Sequence, residues 1–240
     1  MPRDWTDLAE RELFIPGTIY DPADDTVICR ADDPHRWEAA VASDDPLIIR
    51  MNGPWASSSS SARWIMNLML DTLRLKPGMR VLEIGTGTGW NAAIMAAAGA
   101  KVTTIEIAQD LADHASAALL SAGHGDVQVI CGGGELGVPE HAPYDRIIVT
   151  ASVHTIPYAW VSQTAQGGRI VLPYSGQHHP SGLAVLVVRD GTATGEIIND
   201  EAWFMPMKGQ GISQEQLKQV PKPHVRIEVR PDGQIVTAQP

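Results

Sequence analysis

Apolar residues follow two different spacings along the central part of the chain. Between residues 62 and 75 they recur at every third or fourth position, which predicts an amphipathic helix that ends at Lys76-Pro77-Gly78. Short apolar or β-branched runs, typical of strands, then alternate with runs that are typical of helices. The predicted strands are Arg80–Ile84, Lys101–Ile107, Asp126–Cys131, Tyr144–Thr150, Arg169–Pro173 and Leu183–Arg189, and the predicted helices are Trp90–Ala98, Gln109–Ala122 and Tyr158–Ala165.

Strands that alternate with helices indicate βαβ units. The predicted fold class is α/β, with a doubly wound, mostly parallel sheet that carries helices on both faces. Residues 1–55 are rich in proline and aspartate and are predicted to be irregular, while the five serines Ser57–Ser61 directly precede the first helix. The predicted divisions are an N-terminal segment (1–61), a central domain (62–208) and a C-terminal extension (209–240), in which His224–Arg230 and Gln234–Ala238 form a hairpin around Pro231-Asp232-Gly233.

Charge and composition narrow the function classes. The 240 residues carry a net charge of -10, which argues against a partner with a phosphate backbone, so no nucleic acid is expected. Twelve acids against five arginines place -7 of that charge in residues 1–50, so this acidic face either attracts a basic substrate or is simply solvated. Two cysteines, no apolar leader and no membrane-length apolar run predict a monomeric cytoplasmic protein that does not contact a membrane.

A glycine-rich loop, Gly85-Thr86-Gly87-Thr88-Gly89, lies between a predicted strand and a predicted helix. Glycines there allow a tight turn and a close approach of backbone to ligand. Dinucleotide-binding loops place their last glycine one position later, where this chain has Trp90, which weighs against NAD. Glu106 ends the next predicted strand, where an acid accepts hydrogen bonds from ribose hydroxyls, although by itself it would also fit a surface acid. The order of strand, glycine-rich loop, helix, strand and acid together predicts a site for a nucleoside-containing cofactor.

Several segments between about Phe14 and Met207 match one family in order and spacing. They are Phe14-Ile15-Pro16, Ser61-Ala62, the run from Pro77 to Gly89, Thr104-Ile105-Glu106, the run from Pro139 to Asp145, Val149-Thr150-Ala151, Gln163 with Gly167-Gly168-Arg169, and Phe204-Met205-Pro206-Met207. In these segments the chain resembles the protein-L-isoaspartate O-methyltransferase family. The resemblance implies a seven-stranded Rossmann-like sheet and an enzyme that converts S-adenosylmethionine to S-adenosylhomocysteine without a metal.

The resemblance also implies where the cofactor lies. The methionine end would lie in the glycine loop and the ribose hydroxyls on the following acid; the full cofactor-binding set is Glu83, Gly85, Thr86, Gly87, Gly89, Glu106, Ile107, Gly133, Gly134 and Thr150. Family members carry Gly-Asp-Gly near the adenine, whereas this chain has Gly132-Gly133-Gly134, so Gly133 replaces the acid. Either a backbone group or Glu135 substitutes for that acid, or the affinity for the cofactor falls.

The serine run takes the place of the family's acceptor-side segment. By the resemblance, Ser61 and Ser59 are the catalytic hydroxyls, and Ser58 and Ser60 are expected to contact substrate. His154 follows the strand that ends at Thr150 and is expected near the carboxyl edge of the sheet, where it either contacts substrate or packs against the fold. Family members usually read Gly-Gln-Thr-Ile-Ser with a proline two residues later; this chain keeps the hydroxyls and loses the other features. Because an aspartyl carboxylate is ionised at pH 7, attack on a sulfonium methyl needs positioning and no general base.

Three functions are weighed. The first, which the altered serine segment and the extension favour, is a tailoring enzyme that methylates an aspartate in a ribosomally made lasso, lanthipeptide or ester-crosslinked precursor, after which the ester cyclises to an aspartimide. The second is general repair of L-isoaspartate in damaged proteins. The third, a cofactor-binding adaptor without catalysis, conflicts with the retained Glu83, Glu106 and serines. His178-His179 is interpreted as a surface loop. The four tryptophans before the glycine loop either form a peptide-binding wall or pack in the core, and the helical spacing of Trp64 favours the core.

Overall fold

Two β-sheets organise the chain in the computed structural model, which describes residues 4–211 and 213–238. The strands are β1 (Thr18–Asp21), β2 (Thr26–Cys29), β3 (Leu47–Asn52), β4 (Trp55–Ser60), β5 (Arg80–Ile84), β6 (Lys101–Glu106), β7 (Gln128–Cys131), β8 (Tyr144–Val149), β9 (Thr164–Gly176), β10 (His179–Arg189), β11 (Thr192–Asn199), β12 (Val225–Arg230) and β13 (Gly233–Ala238). The α-helices are α1 (Pro34–Ala42), α2 (Arg63–Leu73), α3 (Trp90–Ala97), α4 (Gln109–Ser121), α5 (Tyr158–Gln163) and α6 (Gln214–Leu217).

The larger sheet confirms the predicted fold class. Its order is β13-β12-β11-β10-β9-β8-β5-β6-β7, in which β7, β6, β5, β8 and β9 run parallel and the remaining neighbours pair antiparallel. Strands β5 to β11 make up the expected seven, and the hairpin β12–β13 adds two more at the edge. The chain order reverses at β5, which pairs with β6 on one side and β8 on the other. A reversal of this kind leaves a crevice at the carboxyl ends of the strands.

Neighbouring residues of the central strands point to opposite faces of the sheet, and each face is covered by helices. Val81 and Ile148 pack with α2 and α3, whereas the adjacent Leu82 and Ile147 pack with α5. The period of two in a strand explains this division of buried residues between two cores. In the described ranges, no helix is long and apolar enough to cross a membrane.

The N-terminal segment is ordered, so the prediction of an irregular region is wrong. Strands β1–β4 form an antiparallel sheet of order β2-β1-β3-β4, and α1 packs on it through Trp37, whose indole N–H donates to the Pro16 carbonyl at 3.0 Å. The prolines and aspartates that led to this prediction lie at the ends of regular elements, as at the start of α1. Asp33 caps α1 by accepting the Arg36 N–H at 3.0 Å, and Pro34 occupies the first turn.

The C-terminal extension belongs to the main sheet. The predicted hairpin is present as β12–β13, although its two turn residues are Pro231 and Asp232 and Gly233 already pairs with Arg230. Strand β11, which connects this hairpin to β10, was not predicted because its sequence has few apolar residues. The boundaries 1–61, 62–208 and 209–240 stay a prediction.

Candidate active site

A cleft of about 690 Å³ opens at the carboxyl ends of β5, β6 and β8, where the chain order reverses. One wall is the glycine loop after β5 with Glu106, the opposite wall is the serine strand β4, and the third wall is the segment 201–208. The lining includes Ser57, Ser58, Ser59, Ser60, Ser61, Glu83, Gly85, Thr86, Gly87, Glu106, Ile107, Gly134, Glu135 and Thr150. The structure therefore brings most of the expected site residues together.

Gly85 cannot carry a side chain in this loop. Its φ is +94°, and an added Cβ would lie 2.6 Å from Thr150 Oγ1. The Thr150 hydroxyl donates to the carbonyl of Gly85 at 2.6 Å and contacts that of Ile84 at 3.1 Å, so it fastens the loop to the end of β8. Gly87 also has a positive φ, and its Cβ position would lie 3.6 Å from the carbonyl oxygen of Ser59. The serine strand thus lies directly across the cleft from the loop.

Gly89 does not line the cleft, in contrast to the expectation that it wraps the cofactor. It caps α3 with a φ of +85°, and an added Cβ would lie 3.3 Å from Ala115 and from Leu119 of α4. Its absent side chain permits close packing against α4, whereas dinucleotide-binding loops use a glycine one position later for close packing of a helix on a strand. That later position, Trp90, is buried, and its indole N–H donates to the Ala9 carbonyl at 2.9 Å.

Glu106 is an oriented acid at the edge of the cleft. One carboxylate oxygen accepts the Gly87 N–H at 3.0 Å and the other accepts the Ala108 N–H at 3.1 Å. Each carboxylate oxygen has further lone pairs, so the side chain can also accept from ligand hydroxyls. Beside it, Ile107 is 48% exposed and offers an apolar surface to a ligand. Both residues lie where the sequence predicts a nucleoside.

A buried polar network lies beneath the loop. Glu83 is fully buried and accepts hydrogen bonds from Thr104 Oγ1 and Asn91 Nδ2, both at 2.7 Å, and Thr86 Oγ1 lies 2.7 Å from Thr104 Oγ1. Burial raises the pKa of Glu83 to about 7. Thr104 and Asn91 were not predicted as site residues. The feature that could have identified them is a polar side chain within an otherwise apolar strand or helix. The network fixes the loop relative to β5, β6 and α3.

Glu135 occupies the space that a side chain at Gly133 would need. A Cβ added to Gly133 would lie 2.6 Å and 2.7 Å from the two carboxylate oxygens of Glu135. Gly133 itself is not part of the lining, whereas Gly134 and Glu135 are. Gly134 approaches β5 so closely that its Cβ would lie 2.5 Å from Ile84 Cγ2. The chain therefore presents an acid at this loop from a position two residues later than expected.

Four of the five serines, Ser57–Ser60, lie in strand β4. Within β4, Ser58 and Ser60 are buried while Ser57 and Ser59 are half-buried, the alternation expected of paired strands. Ser57 Oγ accepts a hydrogen bond from Arg50 Nε at 3.1 Å. Ser61 follows the strand and is separated from α2 only by the N-cap residue Ala62. The hydroxyls of the run are thus held on a rigid element at the edge of the cleft.

His154 does not reach the cleft, contrary to the expectation that it contacts substrate. Its backbone N–H donates to Gln210 Oε1 at 3.0 Å and its carbonyl accepts Gln234 Nε2 at 3.1 Å. The strand that precedes it ends at Val149, so the intervening residues carry it past the cleft edge toward the C-terminal extension. Of His178-His179, which was interpreted as a surface loop, His178 lies in the turn between β9 and β10. His179 contradicts the interpretation, because it begins β10, is fully buried and has its Nε2 3.0 Å from Asp200 Oδ1.

Two tryptophans at the mouth of the cleft were not predicted as site residues. Trp64, interpreted as core, is 43% exposed, and Trp203 is 62% exposed; both line the cleft. An exposed indole beside a cavity suits the apolar part of a ligand. No group of three His, Cys, Asp or Glu side chains suited to a metal ion occurs in residues 4–211 and 213–238.

Known proteins are similar to this chain in sequence. The profile of the family described as protein-L-isoaspartate(D-aspartate) O-methyltransferase matches residues 32–210. A relative named protein-L-isoaspartate O-methyltransferase from Methanoculleus marisnigri is 37% identical over 177 residues, which are 74% of this chain and 77% of the relative. A relative of the same name from Gloeobacter violaceus is 40% identical over 135 residues, or 56% of this chain and 66%, just under two thirds, of that protein.

Solved structures agree at the level of the fold. A structure named protein-L-isoaspartate O-methyltransferase aligns with a TM-score of 0.72 at 22% identity over 100% of this chain and 84% of that chain. A Plasmodium falciparum protein assigned to the same class, solved in complex with S-adenosyl-L-homocysteine, aligns with a TM-score of 0.67 at 18% identity over 87% and 92% of the two chains. The profile match extends over well more than half of the sequence, and the chain therefore belongs to the protein-L-isoaspartate O-methyltransferase family, a family of methyltransferase enzymes.

Proposed function

We propose that the chain transfers a methyl group from S-adenosylmethionine to the free carboxylate of an L-isoaspartyl residue in a peptide or protein. The observation that carries this proposal is the juxtaposition of the glycine loop and the serine strand across one cleft, with Ser59 O only 3.6 Å from the Cβ position of Gly87. A cofactor on the loop and a carboxylate on the serines would meet in that space. The family relatives named above support the same reaction.

The residues present fit this cofactor. The loop has no side chain at Gly85, where even a Cβ would strike Thr150, so a ligand can approach the backbone closely. Glu106 suits the ribose hydroxyls, and Ile107 suits a face of the adenine. The Glu135 carboxylate, which fills the place of a side chain at position 133, is able to accept a hydrogen bond from the adenine amino group.

The protein's contribution to the chemistry is positioning. When bound, S-adenosylmethionine supplies an electrophilic methyl group on a sulfonium. The acceptor is the free α-carboxylate of the isoaspartyl residue, which has an ordinary pKa of about 3.5, so it is already ionised at neutral pH and needs no general base. Hydroxyls at Ser59 and Ser61 would orient that carboxylate without neutralising it, and the cleft would hold it out of bulk water in a near-attack geometry.

The acceptor side of the cleft suits a peptide. Trp64 and Trp203 flank the opening and would contact apolar parts of a chain that carries the target residue. The acidic N-terminal segment would attract basic residues around that target, so we expect binding to weaken with added salt. We further expect a monomeric enzyme that acts in the cytoplasm.

A second candidate function is tailoring of an ordinary aspartate in a constrained precursor such as a lasso peptide. Two features favour it: the acceptor segment of this chain is a five-serine run, and the C-terminal hairpin widens the sheet beyond the seven expected strands. In this case the methyl ester would be displaced by the next backbone nitrogen, with loss of methanol and formation of a succinimide.

One assay separates the two functions. Labelled S-adenosylmethionine is supplied with an isoaspartyl peptide, its aspartyl twin, and a cyclised peptide that contains aspartate. Fast methylation of the isoaspartyl peptide alone supports repair, whereas methylation of only the cyclised aspartyl peptide supports tailoring and contradicts the first proposal. Transfer to none of the three would reject both.

A substitution tests the serine assignment. Ser61→Ala is expected to leave the affinity for S-adenosylhomocysteine unchanged and to slow methyl transfer by about tenfold or more. Ser162→Ala, an exposed serine that bonds only the Ala159 carbonyl at 3.0 Å, is the matched control. Unchanged turnover in Ser61→Ala would remove this serine from the acceptor site.

A further inference from the structure

Arg11 is a buried arginine whose donors all end on neutral atoms. It lies in the short 3-10 turn Arg11–Phe14 and is 1% exposed. Its Nε lies 3.3 Å from Ser60 Oγ, and its two terminal nitrogens donate to carbonyl oxygens at 2.8–3.1 Å. Those carbonyls belong to Ser43, Asp45, Ser60 and Ser61. Among the described residues, no carboxylate forms an ion pair with this guanidinium.

Burial without a charge partner is costly. It lowers the pKa of Arg11 to about 10, chiefly through desolvation. Apolar side chains of similar volume are often at least as stabilising at a buried position. Packing alone therefore does not account for an arginine at this position. The planar guanidinium has several N–H donors in a fixed arrangement, and the carbonyl oxygens that they bind account for it.

Those carbonyls lie where the strand ladder ends. Ser60 pairs with Leu47 as the last pair between β3 and β4, so Ser61 lies beyond the ladder. Arg11 Nη2 donates to Ser61 O at 2.8 Å and to Ser60 O at 3.1 Å, replacing the partners that another strand would supply. The same guanidinium holds the chain between α1 and β3 through Asp45 O at 3.1 Å. Arg11 therefore fixes the backbone at the end of the serine run.

Arg11 also touches the cofactor side of the cleft. Its guanidinium carbon lies 5.1 Å from the ring centre of Trp90, which is the first residue of α3 after the glycine loop. A cation over an indole face is attractive at that separation. One side chain therefore links the acceptor strand to the helix that begins at the loop.

We propose that Arg11 is a positioning residue for methyl transfer, because it fixes the Ser60–Ser61 backbone and so sets where the Ser59 and Ser61 hydroxyls face the cofactor. This inference rests on the proposed function for its kinetic consequence. Its structural consequence, a rigid end of β4, does not depend on which carboxylate is methylated.

The test uses Arg11→Lys and Arg11→Met in the full chain. Lysine keeps the charge but cannot serve several carbonyls with one planar fork. Matched controls are Arg30→Lys and Arg30→Met, because Arg30 also stacks on a tryptophan, 4.5 Å from the Trp37 ring centre, but pairs with Glu12 and is half-exposed. Hydrogen exchange, affinity for S-adenosylhomocysteine, and kcat and KM for the peptide are measured for each protein.

Arg11→Lys is expected to exchange faster at amides 57–62 while amides 84–90 keep wild-type rates. The kcat should fall by about tenfold to a hundredfold, since a displacement near 1 Å has effects of that order. S-adenosylhomocysteine affinity should stay within about twofold, and the Arg30 variants should match the wild type. Arg11→Met should show the same pattern more strongly.

Two results would overturn the inference. One is wild-type exchange at amides 57–62 in Arg11→Lys, and the other is a loss of cofactor affinity equal to the loss of kcat, which would indicate a general structural role. If the wild-type protein methylates no peptide, the proposed function fails, while the exchange pattern still decides whether Arg11 fixes β4. An Arg11→Met protein that does not fold leaves the decision to Arg11→Lys.

Discussion

Replacing Gly85 with alanine tests how tightly the cofactor loop is constrained. Gly85 has a φ of +94°, and the new Cβ would lie 2.6 Å from Thr150 Oγ1. The Thr150 hydroxyl lies 2.6 Å and 3.1 Å from the carbonyl oxygens of Gly85 and Ile84, so it cannot move aside without losing these contacts. Gly85→Ala therefore combines backbone strain with the loss of the hydrogen bond from the Thr150 hydroxyl to the Gly85 carbonyl.

The magnitude follows from these two effects. A left-handed backbone costs an alanine about 1–2 kcal/mol, and each lost hydrogen bond costs about 1 kcal/mol. We expect the free energy of unfolding to fall by about 2–3 kcal/mol, or the Tm by about 4–12 °C for a chain of this size. Gly123→Ala is the matched control, because Gly123 has a φ of +83° and its Cβ would meet nothing within 4 Å. It should cost only the strain, about 1–2 kcal/mol.

A double-mutant cycle with Thr150→Ala isolates the contact. Without Oγ1 the steric conflict disappears, so the cost of Gly85→Ala in the Thr150→Ala background should fall to that of Gly123→Ala. Chemical denaturation measures the four stabilities, and calorimetry measures S-adenosylhomocysteine binding, which Gly85→Ala should weaken by more than about tenfold. Additive costs, or a Gly85→Ala protein that matches Gly123→Ala in both measurements, would refute the close-approach argument.

Four further substitutions test the rest of the site and the fold. Burial raises the pKa of Glu83 to about 7, so the folded state holds its proton more tightly and stability should fall as pH rises from about 4.5 to about 7, by on the order of 3 kcal/mol; Glu83→Gln should flatten that dependence in denaturation curves. Trp203→Ala and Trp64→Ala should raise the peptide KM more than about fivefold and leave S-adenosylhomocysteine binding unchanged. Gly195→Ala should lower the free energy of unfolding by about 3 kcal/mol or more, because its Cβ would overlap the Val185 carbonyl oxygen.

For each of these predictions, one result would contradict the reasoning. A pH dependence that persists in Glu83→Gln would assign it to another group. Tryptophan variants that lose cofactor and peptide affinity equally would place the indoles on the cofactor side. A Gly195→Ala protein as stable as the wild type would contradict the close pairing of β10 with β11.

The cofactor half of the site was predictable because its signals are local. Gly85 and Glu106 belong to a strand, a loop and the next strand that follow one another in the sequence, and parallel pairing of β5 with β6 brings them together. Loop geometry then selects glycine at the positions where a Cβ would collide. Gly89 shows the limit of this reasoning, because its packing against α4 is a tertiary contact that the loop sequence does not encode.

The acceptor half depends on contacts between distant parts of the chain. Ser57–Ser61 has neither the apolar alternation nor the β-branched residues of a typical strand, and it becomes one by pairing with β3, which α1 and Trp37 hold in place. Trp64 has the spacing of a core residue on α2, yet it is exposed because the cleft interrupts the surface beside it. Periodicity reports which face of a helix is apolar, but not where that face meets a cavity.

Arg11, which holds the backbone of the acceptor serines, lies outside the part of the chain that the family profile matches. That match begins at residue 32, whereas Arg11 contacts Ser60 and Ser61 from 49 and 50 residues earlier in the sequence. A contact between neutral carbonyls and a single arginine leaves no pattern of paired charges by which sequence reasoning could have found it. On the proposed function, we therefore expect the substrate preference of this chain to depend more on how residues 5–61 shape the serine strand than on the cofactor motifs.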